Sequence, residues 1–180
     1  TFIVWTFVSA NKTWAYDLST SQFTQFAWTD ENGNLNRDRA QFYTQAYGST
    51  VALDWETGSL YRIDPAVFVD QVKRDGEVFD DPITCLRGFP HIVAGLDRLS
   101  IGALKVHMEC GTIDDPNAEM PQLNLRISKD SGHTFPVVRQ QPLGATGQFK
   151  TTPLFTRLGM ARDWVFELFW TAKMKTALLG

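Results

Sequence analysis

The stretch from Leu123 to Phe135 constrains the fold more than any other part of the chain. Leu123, Leu125 and Ile127 alternate with Asn124, Arg126 and Ser128, the period-two pattern of a half-buried strand. Directly behind it stands Ser128-Lys129-Asp130-Ser131-Gly132-His133-Thr134-Phe135. Here the Asp130 carboxylate can accept turn N–H groups, Gly132 can take a strained backbone position, and Phe135 can pack beneath the hairpin. A strand that runs into a self-bonded turn returns as its own antiparallel partner, so this segment predicts a stapled hairpin.

The same period recurs elsewhere. Trp164, Phe166, Leu168 and Trp170 alternate with Val165, Glu167 and Phe169; both sets are largely apolar, which predicts a strand covered on both faces. Leu99 to Glu109 alternates imperfectly, with Ile101, Ala103 or Leu104, Val106 and Met108 as the apolar set. Thirteen Phe, six Trp and four Tyr favour pleated strands over helices. In the first half, Tyr16 to Phe23 aligns with Leu53 to Leu60 at an offset of 37 residues. In each copy an Asp closes one strand, a Thr stands in the tight turn, and an apolar residue opens the return strand. That spacing approaches the blade period of a β-propeller, about 40–50 residues. Asp30 to Asn34 reads as a turn, Asn36 to Gln41 as a polar loop, and Ala66 to Val72 as a short helical turn after Pro65. The acid, Gly and Pro residues between Arg74 and Pro82 mark the predicted boundary. The expected fold is therefore all-β: partial β-propeller-like hairpins over residues 1–82, then a β-sandwich-like domain over 83–180 carrying the stapled hairpin.

Charge and chemistry exclude several classes of function. The formal net charge of −3 gives no global basic field for a phosphate backbone. Eight acids face three bases between Asp54 and Asp81, and six bases face two acids from Arg139 onward. This asymmetry reads either as two solvated faces or as complementary faces of neighbouring copies meeting head to tail. Cys85 and Cys110 lack a paired spacing and are expected to be free buried thiols. His91, His107 and His133 are scattered, so no metal site is expected, and no Walker loop, G-x-G-x-x-G or G-x-S-x-G is present. The acid pairs Asp80-Asp81 and Asp114-Asp115 read as solvated loop residues. No cofactor and no catalytic residue is expected. The apolar run from Phe2 to Val8 is too short to span a bilayer, and the start at Thr1 is expected of a processed chain or of a piece of a longer one.

The turn motif matches the Asp-box, S-x-D-x-G-x-T-(W/F), found in sialidases and in many β-proteins without enzymatic activity. The order of features beyond it is more distinctive. After Pro121 to Ser128 and the Asp-box come Leu143-Gly144-Ala145-Thr146-Gly147-Gln148-Phe149-Lys150, then Arg157-Leu158-Gly159-Met160-Ala161-Arg162-Asp163-Trp164-Val165-Phe166-Glu167-Leu168, and a basic, apolar terminus from Lys173 to Gly180. This succession resembles the C-terminal segment of the packaged-DNA stabilisation protein, or tail hub protein, of short-tailed bacteriophages. Thr13 to Thr20 and Ala52 to Asp64 resemble its propeller-like part. The sequence departs from that family at Ser131, where a second Gly is usual, at Phe135 in place of Trp, and over Thr171 to Met174.

The resemblance implies a non-enzymatic virion component, assembled in the bacterial cytoplasm. Such a protein forms a homo-oligomeric ring, contacts other tail and connector proteins, lets DNA pass without sequence-specific binding, and touches no membrane. The structural determinants it singles out are Asp130, Gly132 and Phe135 at the hairpin, Gly144 and Gly147 in the following loop, and Arg157, Gly159, Arg162 and Asp163. The last two, adjacent on a presumed strand, are expected to pair with different partners. The alternative is a carbohydrate-binding or sialidase-like Asp-box module.

Overall fold

The computed structural model describes residues 2–30, 32, 34–74, 77–110, 120–144 and 150–179. Among the described residues the protein is all-β, built of strands and turns with no helix. Two compact units, Thr1–Pro65 and Ala66–Gly180, divide it. The division falls after Pro65, ahead of the acid- and Gly-rich segment that ends at Pro82.

The first unit consists of two antiparallel meanders. Strands β1 (Phe2–Phe7), β2 (Lys12–Asp17), β3 (Gln22–Thr29) and β4 (Leu35–Arg37) form one sheet in chain order; β5 (Ala40–Ala46), β6 (Ser49–Asp54) and β7 (Leu60–Ile63) form the other. The 37-residue repeat is structural. Asp17 Oδ1 accepts the Ser19 N–H at 2.9 Å and Oδ2 accepts the Thr20 hydroxyl at 3.0 Å. Asp54 Oδ1 accepts the Glu56 N–H at 2.8 Å and Oδ2 accepts the Thr57 hydroxyl at 2.7 Å. Each turn closes with a residue of positive φ, Ser21 at 57° and Gly58 at 69°, whose N–H returns to the Asp carbonyl. Ala15 and Ala52 occupy equivalent positions and are both fully buried.

Asn36 to Gln41 is not a loop. Asn36 and Arg37 pair with Trp28 and Ala27 in β4, and β5 begins at Ala40; ladder bonds override the polar composition. The crossing between the meanders is tied down by side chains. Thr13 Oγ1 accepts the Asp38 N–H, Trp55 Nε1 donates to the Asp38 carbonyl, and the Arg37 guanidinium lies 3.8 Å from the Trp55 ring centroid. The opposite face of the first meander presents Ile3, Trp5, Phe7, Trp14 and Phe23, all exposed.

The second unit opens with a hairpin, β8 (Val69–Arg74) and β9 (Glu77–Pro82), which among the described residues pairs with no other strand. Here the expected helical turn is replaced by extended chain, in which Val69 and Gln71 pair across to Pro82 and Asp80. There follow β10 (Thr84–Gly88), β11 (Ile92–Val93), β12 (Leu99–Lys105), β13 (Met108–Cys110), β14 (Gln122–Ser128), β15 (Val137–Pro142), β16 (Lys150–Thr151), β17 (Leu154–Ala161), β18 (Asp163–Thr171) and β19 (Thr176–Leu178). The main sheet runs β10-β18-β14-β15, with β11 also on β18; β12-β17 and β16-β13-β19 form two smaller sheets.

One hydrophobic core joins these three sheets. Leu123, Leu125 and Ile127 of β14 and Trp164, Phe166, Leu168 and Trp170 of β18 meet Met108, Cys110, Phe155, Leu158 and Ala161 from the smaller sheets. The alternation read from both β14 and β18 is thus the core face. Val165, on the other face of β18, is also buried, while Glu167 and Phe169 are half-buried. The imperfect alternation after Leu99 has a cause. A register shift between Ile101 and Ala103 moves the inward set from Ile101 to Leu104, Val106 and Met108, leaving Ala103 exposed. Both cysteines are free, and burial raises both thiols above their ordinary range.

Candidate functional site

Strand β14 ends on Ser128, whose side chain is fully buried. Its hydroxyl donates to Asp130 Oδ1 at 2.6 Å and accepts the Gly132 N–H at 2.9 Å. Asp130 Oδ1 also accepts the Thr134 N–H at 2.9 Å, and Oδ2 accepts the Thr134 hydroxyl at 2.6 Å. Those bonds, the Ser128 hydroxyl foremost and then Thr134, hold the Asp130 carboxyl far below the usual carboxylate range. Ser131 and Gly132 take consecutive positive φ values of 62° and 82°. The turn is therefore closed on itself, and both carboxylate oxygens are committed inside it. Phe135 is half-buried; the Arg126 guanidinium lies 5.8 Å from its ring centroid and 5.0 Å from that of Phe169, and bonds Glu167 at 3.1 Å.

The turn is fastened to the β17–β18 end of the unit by two links. The nearby Ser131 side chain acts on the Asp163 carboxyl, and His91 Nδ1 lies 2.9 Å from the same carboxylate. Both contacts, that from Ser131 being the larger, draw Asp163 below its ordinary value. The second link is Lys129. Its ammonium sits 4.8 Å over the Trp164 ring, in space left open by Gly159; a Cβ at Gly159 would stand 2.9 Å from Lys129 Nζ. Gly159 itself has φ 97°, and Arg157 has φ 57° in the irregular pairing of β17 with β12. Arg139 donates to the carbonyls of Thr156 and Arg157, which steadies that irregularity.

Six of the nine residues singled out in the sequence thus gather at one end of the second unit: Asp130, Gly132, Arg157, Gly159, Arg162 and Asp163. Arg162 is not on a strand; it occupies the exposed bend between β17 and β18, while Asp163 opens β18. Phe135 lies just beyond, on the outer face. Gly144, with φ 110°, lies at the opposite end of the β14–β15 hairpin, beside Leu143, whose N–H bonds the Pro121 carbonyl. Gly147 lies outside the described residues, as do Asp114 and Asp115. Sequence reasoning missed His91, Lys129 and Arg139. His91 is separated from Asp163 by 72 positions with no local signal, and Lys129 occupies a variable place within the motif.

The chemistry open to this cluster is limited. Among the described residues no group of three His, Cys, Asp or Glu side chains is arranged to hold a metal ion. A cleft of about 240 Å³ adjoins the turn, with Ile127, Pro136, Val137 and Leu158 as its apolar lining and Lys129 and Arg139 as its cations. No helix is long and apolar enough to cross a membrane. No protein-family model matches the chain, and no curated protein matches it either.

Proposed function

We propose that the chain is a structural, non-enzymatic virion protein of a bacteriophage tail. In this reading it is a ring-forming hub or adaptor that joins the head-to-tail connector to the distal tail and helps retain packaged DNA. The observation that carries the reading is the ordered succession of motifs from Pro121 to Gly180, with the Asp-box, the Arg-Leu-Gly segment and the Ala-Arg-Asp strand start in one place. The polar groups of the Asp-box bond one another within the turn, and Asp163 at the start of β18 bonds His91, which suits a rigid scaffold better than a site that must meet substrate. The exposed aromatic face of the first meander supports the same reading, because an apolar face of that kind needs a neighbour.

Electron microscopy of tail particles carrying a tagged chain tests the proposal. Tag density arranged symmetrically about the tail axis is the expected result, and its absence from purified virions overturns the reading. The sugar-binding alternative is separated by a glycan array: specific retention of a glycan would replace the hub reading with a lectin-like one.

A further inference from the structure

The cleft beside the Asp-box turn joins two kinds of surface. Ile127 and Leu158 belong to the buried core, and Val137, paired opposite Ile127, adds an exposed apolar wall. Lys129 and Arg139 line the same cleft as cations. Arg139 is fixed by its bonds to the Thr156 and Arg157 carbonyls, whereas Lys129 is an exposed ammonium on a flexible stem. Among the described residues no carboxylate pairs with either. Asp130, the one carboxylate in the lining, has both oxygens held by Ser128 and Thr134 within the turn. Two cations against one carboxylate leave the lining with one net positive charge. The volume of about 240 Å³ falls below that of pockets for drug-sized ligands, roughly 300–1,000 Å³, so the cleft suits a single short chain or ring.

We propose that this cleft binds a small organic monoanion, an aliphatic carboxylate of medium chain length. Its hydrocarbon chain lies against Ile127, Val137 and Leu158, and its carboxylate meets Lys129 and Arg139. Each half of the ligand answers one half of the lining: the chain covers the exposed wall at Val137, and the charge gives both cations the anionic partner they lack. A single net positive charge matches a monoanion better than a dianion such as a phosphate monoester. A sugar fits poorly, because it needs several free hydrogen-bonding groups, and the Asp130 and Thr134 side chains are already bonded to each other. The assignment goes beyond the tail reading and does not depend on it.

The test is calorimetric titration of the full chain with octanoate at neutral pH, with the fold of each variant checked by circular dichroism. Octanoate is expected to bind saturably at one site per chain, and more weakly as salt rises. Octanamide keeps the chain without the charge and acetate keeps the charge without the chain; each is expected to bind about tenfold more weakly or less. Octyl phosphate, largely a dianion at neutral pH, is expected to gain nothing over octanoate. Lys129→Gln should weaken octanoate about tenfold while leaving octanamide unchanged. Arg139 is left alone, since it bonds the Thr156 and Arg157 carbonyls. Val137→Asp, on the exposed wall, should weaken octanoate by a similar factor, and it reads the same site should Lys129→Gln fail to fold. The assignment is overturned by an absence of saturable octanoate binding, by octanamide binding equally well, or by tighter binding of octyl phosphate. It is also overturned if the folded variants bind octanoate as wild type does, which would place the ligand elsewhere, as on the exposed aromatic face of the first unit. None of these results bears on the tail reading, which is decided by the tagged virions.

Discussion

At Gly159 two separate demands meet. Its φ of 97° lies in the left-handed region, and the space a Cβ would fill is taken by the end of Lys129, 2.9 Å away. Gly132 has the first demand but not the second, since its Cβ would meet Val165 Cγ2 at an ordinary 3.7 Å. Alanine at either site is expected to cost about 1–2 kcal/mol from backbone strain, measured by urea unfolding. Lys129 is flexible at its tip, so it moves aside cheaply and the extra cost at Gly159 is small. What distinguishes the sites is optical: Gly159→Ala lifts the ammonium from the buried Trp164 ring, so its fluorescence shifts, whereas Gly132→Ala leaves it unchanged. In a Lys129→Met background the Gly159→Ala shift should vanish. A fluorescence response that persists there would mean the ring senses backbone rearrangement instead.

The repeated hairpin turns of the first unit place the same conformation under two different residues. Ser21 and Gly58 both close an Asp-Thr turn with positive φ, yet only Gly takes that region freely. Ser21→Gly is therefore expected to stabilise by about 0.5–1 kcal/mol, and Gly58→Ser to destabilise by a similar amount. Thermal unfolding of the two variants checks this; shifts of the same sign would show that the turns are not equivalent. These elements were the legible ones. An Asp with a Thr three residues later encodes its own hydrogen bonds, and the alternation of Leu123 to Ile127 and of Trp164 to Trp170 encodes which face is buried. Strand β4 was not legible, because Asn36 and Arg37 are extended only through pairing with Trp28 and Ala27. The same holds for β8, which is extended only through pairing with β9. In the candidate site, Asp130 and Gly132 follow from local rules, while the attachments of Asp163 to His91 and of Lys129 to Gly159 exist only once distant strands meet. The positive φ of Arg157 has no sequence signal at all, since its cause is the irregular pairing of β17.

On the scale of the whole molecule, the carboxylates decide how the protein responds to acid. Asp17, Asp30, Asp54, Asp130 and Asp163 are all held below the ordinary value. In four of them hydrogen bonds are the leading cause. In Asp54 burial pushes upward most strongly, but bonds from Thr57 and Glu56 and the Arg39 guanidinium 2.7 Å away together outweigh it. Asp38 is the exception: burial raises its carboxyl despite bonds from Ala40 and Tyr43. For the depressed group the unfolded chain binds more protons just below the ordinary aspartate value of 3.8, so stability is present above that pH and lost as pH falls toward the folded values. Asp38 has the opposite sign: its folded form binds the proton more readily, so its ionisation opposes folding above 3.8. Chemical unfolding at stepped pH should therefore show stability nearly flat near neutrality and falling steeply below about pH 4. Asp130→Asn should be less stable than wild type at neutral pH and should lose less on acidification, since the stabilising ionisation is gone. Asp38→Asn should differ in sign, gaining on wild type as pH rises from 4 to 6, because wild type alone must ionise a buried carboxyl there. Parallel pH profiles for the two variants would show that neither carboxylate is linked to folding in this way.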